Sequence, residues 1–250
     1  MISLSPSHCV AVAASLIVIA CTHAEAPRGP SPTLLRTLRR GGGDGPVIVM
    51  LHGYGSRPED FLGFSTRSDL PAGTRFIFPY APESTHPPYG PDGGFMWWRF
   101  TSDFSDPRQL SFPGLPLARA RVIELLDALQ EELHVTSDRI VLGGFSQGAM
   151  LSMDVALHDD RPLAGVMLLS GSLVDQNEWV PRMPSRRGLR VLQAHGRQDD
   201  RLPFAPAEEL SVRLRESGVD LRFLPFEGNH EITAEVSTAV SAFVNEVTTD

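Results

Sequence analysis

The chain has 250 residues, of which 42% are hydrophobic and 21% are charged, and its formal net charge is −8. This is an ordinary soluble composition, and the length suits one domain with a large hydrophobic core. Because the charge is acidic and no sustained basic stripe is present, the sequence gives nucleic-acid binding little support, and we expect no nucleic-acid partner.

The first 26 residues differ in kind from the rest and resemble an export leader. Residues 10–20 form an apolar run that is too short to span a bilayer and fits the hydrophobic region of a secretory signal. Residues 18–21 resemble a bacterial lipobox, which predicts lipidation of Cys21 and attachment to a membrane. Two alternatives stay open: ordinary cleavage near Ala24 or Ala26, and a misassigned start codon, which would leave the protein in the cytoplasm. The lack of Lys or Arg before the apolar run weakens every export interpretation.

Residues 27–45 are rich in proline, glycine and arginine and are predicted to be a flexible linker to a domain over residues 46–250. Both cysteines, Cys9 and Cys21, precede this domain, so we expect neither a disulfide nor thiol chemistry in it. The histidines and carboxylates lack the paired spacing of metal ligands. We therefore expect no metal and no cofactor.

Apolar strand patterns alternate with helical patterns along this domain, which predicts an α/β fold with a mainly parallel central sheet and helices on both faces. The predicted strands cover residues 47–51, 75–78, 140–142, 165–169, 189–194 and 221–226. The predicted helices cover residues 117–133, 147–157, 206–217 and 232–247.

A G-x-S-x-G pentapeptide, Gly144 to Gly148, lies between a predicted strand and a predicted helix. A sharp turn at this point holds the hydroxyl of Ser146 out at the edge of the sheet. The two glycines give the turn room, and the helix N-terminus points its dipole at the reaction site. We therefore predict Ser146 as a nucleophile. The alternative is a glycine-rich turn with an incidental serine.

A serine hydroxyl needs a base, and the base needs an orienting acid. In hydrolases with this turn, the acid and then the histidine follow the serine along the chain. His230 lies in a loop after a predicted strand and before the last helix, so it is the predicted base, whereas His195 precedes the acid and is predicted to be structural. Asp199 is the predicted acid because it comes soonest after the preceding strand. Asp200 would then face solvent or pair with Arg201.

An oxyanion hole requires two further donors, which are expected to be backbone N–H groups. Gln147 follows Ser146 and is the first predicted donor. The loop His52 to Gly55 follows the strand at residues 47–51, and its glycines let the backbone approach a substrate closely. Tyr54 is the second predicted donor. An ordinary loop between a strand and a helix is the alternative.

The segment from residue 82 to residue 116 is rich in proline, glycine and aromatic residues and lies on the predicted active-site side of the sheet. It is predicted to form a wall or partial lid over an acyl or alcohol pocket, with Trp97 and Trp98 in contact with substrate. Leu202 is assigned to the same pocket. The alternative is a hydrophobic cluster that only pins a long loop.

Four ordered blocks of sequence carry a family resemblance. They are Leu51-His-Gly-Tyr-Gly55, Gly144-Phe-Ser-Gln-Gly-Ala-Met150, His195-Gly-x-x-Asp199 with Pro203 shortly after, and Gly228-Asn-His230. With these blocks the chain resembles the phospholipase/carboxylesterase group of α/β-hydrolases, which includes the acyl-protein thioesterases and small bacterial carboxylesterases. The resemblance implies the α/β-hydrolase fold and a triad of Ser146, Asp199 and His230. It also implies oxyanion donors at Tyr54 and Gln147.

These features together predict a serine hydrolase that cleaves a small-molecule carboxylic ester or thioester through an acyl-enzyme. A catalytically silent binding lipoprotein and an acyltransferase are the alternatives. The chain departs from the family pattern at Asp200, where the family commonly has proline, and at residues 97–99, which replace a Trp-Phe-Asp-like segment. Because both departures lie near the expected pocket, substrate preference is not carried over from the family.

Overall fold

The computed structural model describes residues 34–85, 93–100, 108 and 112–249. The leader and its predicted lipidation site Cys21 lie outside the described residues. The strands in the described part of the chain are β1 (Thr37–Gly41), β2 (Val47–Leu51), β3 (Arg75–Pro79), β4 (Glu83–Ser84), β5 (Phe95–Met96), β6 (Ile140–Phe145), β7 (Gly165–Leu169), β8 (Arg190–Gly196) and β9 (Asp220–Phe226). The helices there are α1 (Leu115–Leu133), α2 (Gln147–His158), α3 (Gln176–Arg182), α4 (Phe204–Glu216) and α5 (Ala234–Thr248), with short 3-10 helices at Pro58–Thr66, Ser137–Arg139 and Met183–Arg186. None of these helices combines the length and the apolar character that crossing a bilayer requires.

Seven of the strands form one sheet in the order β1-β3-β2-β6-β7-β8-β9. β1 pairs antiparallel with β3, and all other neighbours in this sheet pair in parallel. β4 and β5 form a separate antiparallel ribbon. Parallel neighbours need long crossover connections, which the helices supply here. The prediction of a mainly parallel sheet is confirmed.

Side chains along β2 alternate between two hydrophobic clusters, because successive residues of a strand point to opposite faces of the sheet. Val47, Val49 and Leu51 pack on one face with residues of α1 and α2. Ile48 and Met50 pack on the other face with residues of α5. A strand covered on both faces is apolar throughout instead of alternating with polar residues. The predicted helices on both faces of the sheet are confirmed.

Helix α1 buries the apolar stripe that its sequence predicts. The fully buried members of this stripe are Val122, Leu125, Leu126 and Leu129. Their spacing places them on one face of a helix, and each buried leucine contributes roughly 1.5–3 kcal/mol to stability. The helix ends at Leu133, and the left-handed φ of 50° at the next residue, His134, stops the regular backbone.

The predicted elements agree with the structure. All six predicted strands and all four predicted helices are present, with ends that differ by three residues or fewer. The sequence did not predict β1, the β4–β5 ribbon or α3. These elements are short. The strands among them form by pairing with other segments, β1 with β3 and β4 with β5.

The predicted flexible linker over residues 27–45 is wrong for residues 37–41, which form β1 at the edge of the sheet. The backbone partner of this strand is β3, which local composition does not reveal. Residues 39–41 of β1 are exposed, and the side chain of Arg39 pairs with Glu132 on α1. Charged residues of this kind are typical of edge strands, because they discourage pairing with another chain. The folded domain therefore begins before residue 46.

Candidate active site

The loops that follow β2, β6, β8 and β9 meet at the carboxyl edge of the sheet, around a cavity of about 870 Å³. This is the edge at which open α/β sheets bind ligands. Among the predicted site residues, Ser146, His230, Tyr54 and Leu202 line the cavity. The structure therefore brings together residues from four separate loops.

Ser146 lies in the turn between β6 and α2, with φ 55° and ψ −117°. A positive φ at a residue other than glycine typically costs about 1–3 kcal/mol. Hydrogen bonds hold the turn: the N–H of Ser146 donates to the carbonyl of Leu169 at 2.8 Å, and its own carbonyl accepts from Ala149 at 3.0 Å. The turn packs so closely that a methyl group added at Gly148 would lie 2.1 Å from the carbonyl oxygen of Leu51. The sharp turn predicted from the pentapeptide is present.

His230 lies in the loop after β9, and its Nδ1 is 2.7 Å from Oδ2 of Asp199. The other carboxylate oxygen of Asp199 accepts the N–H groups of Arg201 and Leu202 at 2.9 and 2.8 Å. Burial by itself raises the pKa of Asp199. The hydrogen bonds from His230 and from these backbone groups outweigh burial and leave the pKa below its ordinary value. Asp199 is therefore ionised and held toward His230.

Asp200 has a different environment from its neighbour. Its side chain is 64% exposed, and its carboxylate lies 3.7 Å from Nε of Arg201. Both features match the position expected for Asp200 if Asp199 is the partner of His230. The structure thus distinguishes two adjacent carboxylates that have the same chemistry.

Asn229 was not predicted as a site residue, yet it joins the loop of the carboxylate to the loop of the histidine. Its Oδ1 accepts the N–H of Asp200 at 2.9 Å and the N–H of His230 at 2.8 Å. Asn229 also lines the cavity. Its place directly before His230 in the Gly-Asn-His block was the available signal in the sequence.

His195, near the end of β8, is fully buried behind the same carboxylate. Its Nε2 lies 2.9 Å from the carbonyl oxygen of Leu202 and 3.3 Å from Oδ2 of Asp199. A carbonyl only accepts, so Nε2 carries the ring hydrogen. Burial lowers the pKa of His195, which keeps the imidazole neutral. These contacts fit the structural role predicted for His195.

The loop after β2 lies close to the nucleophile at Gly53, where an added methyl group would lie 3.3 Å from Cβ of Ser146. His52 shapes this loop, because its Nδ1 lies 2.8 Å from the carbonyl oxygen of Gly53 and its Nε2 accepts the N–H of Ala81 at 3.1 Å. Burial lowers the pKa of His52 to about 4, so the ring is neutral. Tyr54, the next residue of this loop, lines the cavity.

The structure does not bring Trp97 and Trp98 into the cavity. Their side chains are 2% and 0% exposed and belong to the hydrophobic core on one face of the sheet. Phe100 lines the cavity instead, with its ring centroid 5.1 Å from that of Tyr54. The predicted substrate contacts of the two tryptophans are therefore not found, because these large side chains are buried in the core. Leu202 does line the cavity, as expected.

Phe145 and Met150 complete the apolar part of the cavity, although neither was predicted as a pocket residue. The ring centroid of Phe145 is 4.7 Å from that of His230. Their positions close to Ser146 in the sequence were the signal from which they could have been predicted.

In the part of the chain that the structure describes, no group of three or more His, Cys, Asp or Glu side chains could hold a metal ion.

The class of protein follows from the way the sheet presents these groups. A strained serine in a strand-to-helix turn, with a carboxylate-bound histidine at the same carboxyl edge of a mainly parallel sheet, defines an α/β-hydrolase. The sequence profile of the phospholipase/carboxylesterase family matches residues 41–248. The chain belongs to this family, and it is a hydrolase.

Individual relatives and solved structures agree with this membership. Acyl-protein thioesterase 1 from Schizosaccharomyces pombe is 28% identical over 210 residues, which cover 80% of this chain and 90% of the relative. Lysophospholipase-like protein 1 from Mus musculus is 26% identical over 195 residues, which cover 74% of this chain and 80% of the relative. The crystal structure of esterase PE8 is similar with a TM-score of 0.74 at 27% identity, covering 86% of this chain and 98% of that one.

Proposed function

We propose that this chain is a serine hydrolase that cleaves carboxylic esters and thioesters through an acyl-enzyme on Ser146. The observation that carries the proposal is the 2.7 Å contact between Nδ1 of His230 and Asp199, beside the cavity that Ser146 also lines. Because an ionised carboxylate only accepts hydrogen bonds, Nδ1 carries the ring hydrogen and Nε2 has a free lone pair. Nε2 is then the nitrogen that can take a proton from a serine hydroxyl.

The reaction has two halves that use the same groups. His230 takes the proton of Ser146 as the serine oxygen attacks the substrate carbonyl, and Asp199 stabilises the imidazolium that forms. His230 then gives the proton to the departing alcohol or thiol, and the acyl group stays bonded to Ser146. Water attacks this acyl-enzyme with His230 again as base, and the carboxylic acid departs as the serine regains its proton. No cofactor takes part in any of these steps.

The oxyanion of each tetrahedral intermediate is assigned to two backbone donors, the N–H groups of Gln147 and Tyr54. Gln147 is the first residue of α2, and the first N–H groups of a helix have no acceptor within that helix. The positive end of the helix dipole adds to their effect. Tyr54 follows Gly53 on the loop that packs against Ser146.

The cavity supports an acyl group of moderate size as substrate. Its volume of about 870 Å³ is within the range of small-molecule sites. Its apolar lining comes from Tyr54, Phe100, Phe145, Met150 and Leu202. Acyl-protein thioesterase 1 and esterase PE8, to which the chain is similar, carry thioester and ester hydrolysis in their names. We therefore assign both bond types to this chain.

Hydrolysis of p-nitrophenyl butyrate, and of a butyryl thioester with thiol release read by Ellman's reagent, tests the proposal. The wild-type protein should hydrolyse both compounds, and Ser146→Ala should lose both activities because no other group replaces the nucleophile. Asp200→Asn is the matched control for a change of charge at the cavity and should retain them. Equal hydrolysis by the wild type and Ser146→Ala would show that the proposed function is wrong.

We further propose that the protein is exported and anchored by a lipid on Cys21. The support is the apolar run at residues 10–20 and the lipobox-like sequence at residues 18–21. In a bacterial host that processes lipoproteins, a palmitate analogue should label the wild type and not Cys21→Ala. Absence of label from the wild type would contradict the lipid anchor, and removal of the leader without labelling would indicate ordinary signal cleavage.

A further inference from the structure

We infer that Trp97 is a positioning residue that sets the spacing between the two oxyanion donors, the N–H groups of Tyr54 and Gln147. The inference rests on the proposed function. The two donors come from segments that are distant in the chain, one after β2 and the other at the start of α2. Each donor must lie about 2.7–3.1 Å from the oxyanion, so a small change in their spacing weakens stabilisation of the transition state. A connection between the two segments is therefore required.

Trp97 contacts the nucleophile turn through the side chain of Gln147. This side-chain amide is fully buried. Its Oε1 accepts the N–H of Trp97 at 2.9 Å, and its Nε2 donates to the carbonyl of Trp98 at 2.9 Å. Both ends of the amide thus bind backbone groups of residues 97 and 98. The residue that carries one donor is thereby fixed against this segment.

Trp97 contacts the other donor segment through its indole ring. Its Nε1–H donates to the carbonyl oxygen of His52 at 2.9 Å, and the ring centroids of Trp97 and His52 are 5.4 Å apart. His52 in turn binds the carbonyl oxygen of Gly53 through Nδ1 at 2.8 Å. Trp97 therefore holds the loop immediately before Tyr54. All of these groups are buried, so water does not compete for the hydrogen bonds.

The same segment also holds the loop immediately after Tyr54. The N–H of Gly55 donates to the carbonyl of Phe95 at 2.9 Å, and the N–H of Phe95 donates to the carbonyl of Ser56 at 2.9 Å. Residues 95–98 are thus bonded to the loop on both sides of Tyr54 and to Gln147. Within this bridge, Trp97 is the residue that contacts both donor segments directly.

Trp98 provides a matched control because it lies next to Trp97 and is equally large and buried. Its Nε1 is buried and has no hydrogen-bond partner among the described residues. Trp98→Phe therefore removes an indole N–H without removing a hydrogen bond. Trp97→Phe makes the same change in size but removes the bond to the carbonyl of His52.

Steady-state kinetics on p-nitrophenyl butyrate compare Trp97→Phe with Trp98→Phe. The rates are normalised to the number of active sites titrated by a fluorophosphonate. Trp97→Phe should lower kcat about 10-fold with little change in KM, because the loss is confined to the transition state and is smaller than the loss of a whole donor. The affinity of butylboronic acid, which forms a tetrahedral adduct with serine, should fall by a similar factor of about 10. Trp98→Phe should leave both quantities near the wild-type values.

Equal kcat values for Trp97→Phe and Trp98→Phe would overturn the inference, as would a change confined to KM. Should Trp97→Phe fail to fold, Gln147→Met decides the question, since it keeps the backbone N–H and removes both amide bonds to residues 97 and 98. We expect the same fall in kcat for Gln147→Met, and an unchanged kcat would overturn the inference. Hydrolysis by the wild type that does not depend on Ser146 would instead overturn the proposed function.

Discussion

Acidification is expected to destabilise the fold through His52, which is fully buried. Its Nδ1–H donates to the carbonyl of Gly53, and its Nε2 accepts the N–H of Ala81. A proton added to Nε2 would face that N–H group instead of an acceptor. Burial lowers the pKa of His52 from 6.5 to about 4, although the carbonyl of Gly53 and the charges of Asp60 and Glu59 oppose the shift.

The sign and size of the effect follow from this shift. Between pH 6.5 and about pH 4, the unfolded chain holds a proton on His52 that the folded protein does not hold. The free energy of unfolding therefore falls as the pH falls through this window. One pKa unit corresponds to about 1.4 kcal/mol, so His52 alone should remove about 2 kcal/mol of stability between pH 7 and pH 5.

Urea unfolding of the wild type and of His52→Gln at these two pH values measures the contribution. The variant should be less stable at pH 7 because it loses the hydrogen bonds of the imidazole, but its further loss on acidification should be smaller by about 2 kcal/mol. Burial also lowers the pKa of His195, and this contribution is common to both proteins. The difference between them therefore isolates His52. Equal losses on acidification would show that His52 does not cause this pH dependence.

Two further predictions concern the roles of individual residues at the candidate active site. Asp199→Asn should lower kcat about 10⁴-fold, because an amide favours the wrong tautomer of His230. Asp200→Asn should keep near-normal turnover because its side chain is mostly exposed, and the reverse result in this kinetic comparison would move the acid role to Asp200. Phe100→Ala should raise KM for butyryl esters more than for acetyl esters, because Phe100 contributes apolar wall to the cavity. Equal effects on the two esters would exclude a contact with the longer acyl chain.

The elements and residue positions that agree with the structure share a local signal. Strands such as β2 and β7 are covered on both faces, so their sequences are continuous apolar runs. The turn at Ser146 is specified within five residues, because close packing excludes a side chain at Gly148. The order of Asp199 and His230 after the serine, each behind a predicted strand, placed both residues at the same edge of the sheet.

The features that were missed depend on contacts between distant segments. β1 is a strand because β3 lies beside it, and its own residues have the composition of a linker. Trp97 has the size and chemistry of a pocket residue, but its side chain turns into the core, where His52 supplies an acceptor for the indole. The sequence places Asn229 next to His230, whereas its bond to the loop of Asp200 exists only in the fold. These features were missed because they depend on side-chain orientation and on pairing between distant segments, which residue type alone does not reveal.

The proposed reaction depends on activation of Ser146 for attack on a carbonyl carbon. Reaction of the full chain with a fluorophosphonate, followed by mass-spectrometric mapping of the modified peptide, tests it most directly. Such reagents trap an activated serine by forming a covalent bond to its oxygen. We predict one adduct, on Ser146, that is absent from Ser146→Ala and strongly slowed in His230→Ala. An adduct on another residue, or labelling of Ser146 at an unchanged rate without the imidazole of His230, would show that His230 does not activate Ser146 as the nucleophile.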